Sequence, residues 1–237
     1  MGGDRLTSLW FYPLLFMRTR FRKGFTLIEL LVVISIIGLL ATALVPAVKA
    51  VKKAARKAQA KSVFAQWATS CTLYKKEYGA YLPNLSPSYD PSKDFIHKLD
   101  DPNKTMIFIK CLYGKNLTGT ALSGGTSGDR VKYNRQAIEF CAFGQDDFFN
   151  FAAGDSTWQS NPILQDRLGN TAIRVCFDLD NNGLIKSLAG TFPPDLADAA
   201  GTTGVPGRII IFTTELDIGT LNPDLSPSDA ADIFVIQ

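Results

Sequence analysis

A predominantly apolar run from Phe25 to Val48 constrains this chain more than any other feature, because it carries a single ionisable residue, Glu29. An α-helix rises about 1.5 Å per residue, so about 20 apolar residues cross the hydrocarbon core of a bilayer. The run is therefore long enough to span a membrane. It has no small-residue cleavage site at its far end, whereas Gly24 stands directly before it. A cut at Gly24 would leave the apolar segment on the mature protein, unlike the removal of a secretory signal peptide.

Glu29 has two interpretations. A carboxylate inside a membrane span is costly unless its side chain reaches the interface or finds a cation. In the first interpretation Glu29 simply reaches the membrane edge. In the second it pairs with the amino terminus that a cut after Gly24 would create. In an assembly of parallel helices, Glu29 of one copy would meet that amine on the next copy, because two charges that are costly singly become tolerable together.

Basic residues lie on both sides of the apolar run. Those before it favour a cytoplasmic amino terminus, and they are Arg18, Arg20, Arg22 and Lys23. Those after it oppose that orientation, and they are Lys49, Lys52, Lys53, Arg56, Lys57 and Lys61. This second group is interpreted as contacting either lipid headgroups or the acidic heads of neighbouring subunits. The charge rule alone therefore does not fix the topology.

The stretch KGFTLIELLVVISIIGLLA resembles the cleavage and methylation motif of type IV pilins and type II secretion pseudopilins, from Lys23 to about Pro46. The resemblance implies a cut by prepilin peptidase between Gly24 and Phe25. It also implies N-methylation of Phe25 and a salt-bridge role for Glu29 in assembly. Its further implication is a protein held in the bacterial inner membrane by one span, with a cytoplasmic amino terminus and an exported head.

Two further residues fall where this family carries helix-weakening positions, Gly38 and Pro46. The resemblance makes residues 1–24 a leader peptide. Such leaders are short and basic, so the apolar stretch from Leu9 to Phe16 is unusual. We therefore expect translation to start at Met17.

The helix is predicted to continue beyond the membrane to Tyr78, ending at Gly79 and before Pro83. Residues 49–82 form its second half, rich in the helix formers Ala, Lys, Arg and Gln. Two stripes have helical spacing. The small stripe, suited to helix–helix contact, is Val48, Val51, Ala55, Ala58 and Ser62, and the aromatic stripe, suited to docking on a head, is Phe64, Trp67, Cys71, Tyr74 and Tyr78. The helix end YGAYLP resembles that of the major pseudopilin.

The remaining residues, 83–237, are predicted to form a globular head of the α+β class. Runs of β-branched and aromatic residues predict strands at 105–113, 171–179, 207–216 and 232–236. A short helix is predicted within 136–151, and loops at 85–94 and 119–130. We expect a mainly antiparallel sheet packed on the second half of the long helix, and the resemblance implies the same pilin roll.

Charge and cysteine content fit an exported head. Residues 1–82 have a net charge of +10 and residues 83–237 a net charge of −7. The four cysteines are Cys71, Cys111, Cys141 and Cys176. In an oxidising compartment they allow three full disulfide pairings, and free buried thiols are equally compatible with the sequence.

The segment DLDNNG places Asp178, Asp180 and Asn182 at alternate positions before a glycine, as at the start of a calcium loop. Ala189 replaces the acid that an EF-hand requires, so any Ca²⁺ site is of another kind. The alternative is an Asx-rich hairpin turn joining IRVCF to LIKSL. Rival ligands near the carboxyl terminus are Asp224, Asp229 and Asp232.

Enzyme motifs are missing, and the single histidine, His97, is interpreted as a surface loop residue. No nucleic-acid partner is expected. The sequence predicts a non-enzymatic filament subunit of a type II secretion pseudopilus or type IV pilus-like fibre, in contact with lipid, other pilins or pseudopilins, prepilin peptidase and an inner-membrane assembly platform. The alternatives are a signal-anchored binding domain that does not polymerise, with or without calcium, and a minor pilin for DNA uptake.

Overall fold

A computed structural model of the chain describes residues 24–82, 94–149, 151, 154, 156–186, 192, 196, 204–213 and 234–237. By compactness the chain divides into two units, one up to Val48 and one from Lys49 onward. A long helix comes first and a mainly antiparallel sheet follows, which confirms the predicted α+β class. Residues 1–23 of the predicted leader, among them Met17, and Pro83 lie outside the described residues.

The long helix, α1, spans Leu27–Tyr78 and confirms the predicted length of this element. Its end follows from Gly79, whose φ of 77° is left-handed and therefore suited to glycine. The Gly79 N–H donates to the Lys75 carbonyl at 2.8 Å, which satisfies one carbonyl of the last helical turn. Lys75 and Lys76 lie in that turn, where their positive charges interact favourably with the negative end of the helix dipole.

The described residues of the second unit form two more helices and six strands. The helices are α2 (Pro102–Tyr113) and α3 (Asp129–Tyr133), with 3₁₀ turns at Gln145–Asp147 and Thr157–Gln159. The strands are β1 (Phe95–Lys98), β2 (Ile173–Phe177), β3 (Leu184–Ile185), β4 (Val205–Pro206), β5 (Ile209–Thr213) and β6 (Phe234–Ile236). The main sheet has the order β1-β2-β5-β6, with every pair antiparallel, and β3 pairs with β4 in a separate ribbon.

The aromatic stripe of α1 packs in the core of the second unit, as the sequence predicts. Phe64, Trp67, Cys71 and Tyr74 are each at most 3% exposed. They share one apolar cluster with α2 and with the β2 and β5 side chains Ile173, Val175, Phe177, Ile209 and Ile211. Alternate residues of a strand point to opposite faces of a sheet. Cys176, Ile210 and Phe212 accordingly belong to a second cluster with Ile185 and Val205.

The strand predicted at 105–113 is wrong, because the structure forms α2 there. Asp101 accepts a hydrogen bond from the Asn103 N–H at 2.9 Å, and Pro102 occupies the first turn. Gly114 then ends the helix with a φ of 68°. A short apolar run does not distinguish a buried strand from a buried helix, and here the capping residues decide the outcome.

Two other interpretations are corrected. His97 lies in β1 and is 2% exposed, so it is a core residue rather than a surface one. The hairpin turn proposed after β2 is also wrong, because β2 pairs with β1 and β5 while β3 pairs with β4. The strands predicted around β2, β5 and β6 are confirmed within the described residues, and the short helix predicted within 136–151 is a single 3₁₀ turn.

Gly114 offers a test of the α2 boundary. A Cβ at Gly114 would lie 2.7 Å from the Ile138 carbonyl oxygen in addition to the left-handed strain. Gly119 has a φ of 79° but no atom within 4 Å of such a Cβ. Gly114→Ala should therefore lower the free energy of unfolding by about 2 kcal/mol or more, and Gly119→Ala by about 1 kcal/mol. Urea unfolding of the full chain measures both values, and equal losses would contradict the close packing at Gly114.

The sheet also limits disulfide formation. Cys71, Cys111 and Cys141 lie in the cluster on the α1 face, whereas Cys176 lies in the cluster on the opposite face. A disulfide requires Cα atoms within about 7 Å, with Cβ atoms facing each other. Each of the three full pairings needs Cys176 to bond one of the others, so the structure is incompatible with all three.

We therefore predict that the folded, oxidised monomer retains at least two free thiols, one of them Cys176. Alkylation of the denatured protein before and after reduction, followed by mass spectrometry, counts the thiols and locates them. Two intramolecular disulfides in the native protein would contradict the placement of Cys176.

Candidate functional site

The predicted processing segment, residues 24–29, lies at the beginning of α1. Gly24 and Phe25 precede the helix, and the Phe25 side chain is 79% exposed. Glu29 Oε2 accepts hydrogen bonds from the Thr26 N–H at 2.9 Å and the Thr26 hydroxyl at 2.8 Å. The Glu29 N–H in turn donates to Thr26 Oγ1 at 3.3 Å. Thr26 and Glu29 thus form a reciprocal capping box at the start of the helix.

This capping box was missed in the sequence, although the signal for it is present. A threonine followed three residues later by a glutamate before an apolar run is the signature of such a cap. Both hydrogen bonds from Thr26 go to Oε2. Within the described residues Glu29 Oε1 accepts no hydrogen bond, so the carboxylate retains an oxygen for a second partner.

The first half of α1 is exposed around its whole circumference. Large apolar side chains between Phe25 and Val51 are each more than 40% exposed. Within the described residues, α1 is the helix that is long and apolar enough to cross a membrane. Exposed apolar surface of this extent marks contact with lipid or protein.

Gly38 and Pro46 both lie inside α1, which continues through them as a helix. A Cβ at Gly38 would meet no atom within 4 Å, so the glycine there is not required by packing inside this chain. Pro46 cannot donate a backbone hydrogen bond to the carbonyl four residues earlier. The helix-weakening role of both residues stays a prediction.

The acidic loop after β2 is the second predicted site. Asp178 and Asp180 lie with Asp94, and one carboxylate oxygen from each is within 4.8 Å of the other two. Asp94 comes just before β1, so the β1–β2 pairing brings it to the loop. The sequence predicted Asn182, and not Asp94, as the third ligand beside Asp178 and Asp180. The Asn182 Oδ1 instead accepts the Leu184 N–H at 2.7 Å, and its Nδ2 donates to Asp180 Oδ2 at 2.6 Å.

Backbone N–H groups already supply much of the hydrogen bonding to these carboxylates. Asp178 accepts the Asn182 N–H at 3.1 Å and the Gly183 N–H at 3.0 Å. Asp94 accepts the Leu179 N–H at 3.1 Å and the Lys186 N–H at 3.0 Å. The three acids therefore fix the course of the loop, whatever else they bind.

Charge in the loop is only partly balanced. Burial raises the pKa of Asp94, and the nearby Asp180 and Asp178 charges raise it further against the effect of the two backbone N–H groups. Lys75 supplies a cation, because its Nζ donates to Asn181 Oδ1 at 2.7 Å and lies 4.0 Å from the centre of the Tyr81 ring. Oxygen ligands of this kind suit Ca²⁺, but acids held by backbone N–H groups are common without a metal. Calcium binding therefore stays a prediction.

A calcium titration of the full chain tests that prediction. Calcium at about 1 mM should raise the Tm by a few degrees, because a ligand that binds only the folded state stabilises it. Asp180→Asn should abolish the rise, since Asp180 is the exposed member of the set. Asp146→Asn is the matched control, because the Asp146 side chain is 92% exposed and lies outside the loop. An unchanged Tm in the wild type would exclude the site.

The rival ligands Asp224, Asp229 and Asp232 lie outside the described residues.

Comparison with known proteins bears on the amino-terminal segment. Residues 19–45 match the family model described as the prokaryotic N-terminal methylation motif. Searches of curated proteins and of solved structures gave no match to this chain. The matched motif includes Gly24, Phe25 and Glu29, the residues on which the sequence prediction rests.

The motif match and the fold together support a type IV pilin-like protein. The motif implies processing by prepilin peptidase and assembly with other pilins, and the apolar helix suggests a membrane anchor. The motif is that of structural proteins rather than enzymes.

Proposed function

We propose that this protein is a structural subunit of a type II secretion pseudopilus or a type IV pilus-like filament. Prepilin peptidase cuts between Gly24 and Phe25, and Phe25 is N-methylated. Before assembly the mature protein is a single-pass protein of the inner membrane, with its amino terminus in the cytoplasm. It then polymerises through α1. The observation that carries the proposal is the methylation motif at residues 19–45, which overlaps the exposed first half of a 52-residue helix.

The exposed apolar surface of α1 supports polymerisation. Burying apolar surface contributes about 25 cal/mol per Å², so a helix that is apolar on every side gains from being surrounded. Lipid surrounds it before assembly, and the same residues of neighbouring copies would surround it in a filament core. A membrane anchor alone would need only the span, whereas α1 continues as one helix to Tyr78.

The small stripe supplies a second contact between copies. Ala55, Ala58 and Ser62 are exposed, as are Val48 at 42% and Val51 at 68%. Small side chains allow two helices to approach closely. The core uses the aromatic stripe instead, so the small stripe remains available to another subunit.

Glu29 can cap its own helix and bind a neighbouring subunit at the same time. Thr26 occupies Oε2, and Oε1 accepts no hydrogen bond within the described residues. The methylated amine of Phe25 on an adjoining copy would supply the missing cation. That pairing would set the axial register between subunits. A buried carboxylate is costly unless a cation lies beside it, so the favoured register would be the one that brings Glu29 to the amine of the adjoining copy.

The closing segment of α1 supports the pseudopilus more than an adhesive pilus. Tyr78, Gly79 and Tyr81 belong to the stretch that resembles the major pseudopilin, and both tyrosines hold the helix end. The Tyr78 hydroxyl donates to Asn134 Oδ1 at 2.8 Å. The Tyr81 ring stacks on Phe177 with 4.7 Å between centroids.

Substitutions at Thr26 and Glu29 separate capping from charge pairing. Glu29→Gln keeps a side chain that can complete a capping box but removes the negative charge. Thr26→Ala removes the cap and keeps the charge. We expect Glu29→Gln to reduce sheared filaments, or secretion through the pseudopilus, at least tenfold in the native host. Thr26→Ala should retain most of the assembly. The reverse ranking would show that the carboxylate matters only as a cap.

The mature amino terminus distinguishes this proposal from a signal-anchored domain that never polymerises. Mass spectrometry of the protein from its native host should show N-methylated Phe25 as the first residue. An intact leader, or a cut within residues 41–47, would favour the anchored domain. Sheared fibres containing this chain separate the two further, because the anchored domain predicts none.

A further inference from the structure

An aromatic cleft in the second unit lies apart from the processing segment and the acidic loop. It has a volume of about 560 Å³, within the range of small-molecule sites. Five aromatic side chains contribute to its lining, and they are Tyr113, Phe143, Phe148, Phe151 and Trp158. Trp158 is half-buried, and its ring lies 4.9 Å from Phe148 and 5.3 Å from Phe151 between centroids.

We propose that this cleft binds a neutral oligosaccharide. The aromatic rings provide flat apolar surfaces, which suit the C–H faces of a sugar ring. The polar side chains of the described lining are Gln145, Ser156 and Gln159. Amide and hydroxyl groups both donate and accept hydrogen bonds, as sugar hydroxyls require. Within the described part of the chain these three side chains make no hydrogen bond, so their polar atoms are available to a ligand.

The charges around the cleft favour a neutral ligand. The described lining contains no charged side chain. Two ammonium groups beside the cleft already have partners, because Lys110 pairs with Asp129 at 2.7 Å and Lys115 pairs with Glu139 at 2.9 Å. Lys115 Nζ also lies 5.6 Å from the centre of the Tyr113 ring, which disfavours a second cation there.

The shape favours more than one sugar unit. A second depression of about 390 Å³ adjoins the cleft and shares Leu117, Ser156 and Gln159 with it. Asn116 and Thr118 add further amide and hydroxyl groups to that depression. The two together form a groove of apolar faces and mostly uncharged polar groups. The one charged residue of its described lining is Lys110 in the second depression, whose ammonium pairs with Asp129.

An extended peptide fits the same lining poorly. A peptide that adds to a sheet needs a free strand edge. The backbone beside the cleft is already paired, because the Phe149 N–H donates to the Ile163 carbonyl at 2.9 Å and the Gln165 N–H to the Asp147 carbonyl at 2.9 Å. The side chains, rather than the backbone, are therefore the groups that the cleft offers.

A binding assay on the full chain tests this inference independently of filament assembly. The protein is purified in a polyoxyethylene detergent, because sugar-headgroup detergents would compete for the cleft. Saturation-transfer difference NMR is recorded with neutral trisaccharides of glucose, mannose, galactose and N-acetylglucosamine. Trigalacturonic acid serves as the charged probe, and an amidated Phe-Leu-Phe peptide as the apolar one. We expect at least one neutral trisaccharide to bind with a Kd of about 1 mM or tighter.

Variants locate the binding. Trp158→Ala should abolish it, and the double variant Gln145→Ala/Gln159→Ala should weaken it at least tenfold while keeping the aromatic packing. Gln136→Ala is the matched control, because its amide lies outside the cleft and donates to Glu77. The proposal is overturned if none of the neutral sugars binds, if only the peptide or the acidic sugar binds, or if the double variant binds sugar as tightly as the control.

Discussion

Packing of the α1 aromatic face against the antiparallel sheet holds the second unit together. Fully burying a large apolar side chain contributes about 1.5–3 kcal/mol, and Phe64, Trp67, Cys71 and Tyr74 are all buried at this contact. The same helix is exposed and apolar on all sides in its first half. Because one continuous helix has these two different surfaces, one part can serve a membrane or filament while the other anchors the folded unit.

At the start of this helix one carboxylate has a local task and, in our proposal, a second one between subunits. Glu29 completes the cap with Thr26 through a single oxygen, and the proposal assigns the other oxygen to the amine of an adjoining copy. The cap satisfies a backbone donor locally, whereas the charge would act between subunits. An acid near the beginning of an apolar helix is therefore less costly than its position suggests, even before assembly supplies a cation.

Both remaining sites are products of tertiary structure. Asp94 reaches the acidic loop only because β1 pairs with β2, although more than 80 residues separate them in sequence. The aromatic cleft likewise joins the end of α2 to two 3₁₀ turns. Asp94 and the residues of the cleft form no pattern along the chain, since sequence periodicity reports a single element and not which elements meet.

The sequence by itself determined α1, its two stripes, its end at Gly79 and the residues that a prepilin peptidase would recognise. These features are local, because helical period, glycine conformation and a short motif need no distant partner. Only the tertiary structure decided that residues 105–113 form a helix, that His97 is buried in a strand, and that Asp94 lies with Asp178 and Asp180. Short apolar segments are compatible with either helix or strand, so capping and long-range packing choose between them. Cys176 lies on the opposite face of the sheet from the other three cysteines. That separation also depends on long-range packing and not on local sequence.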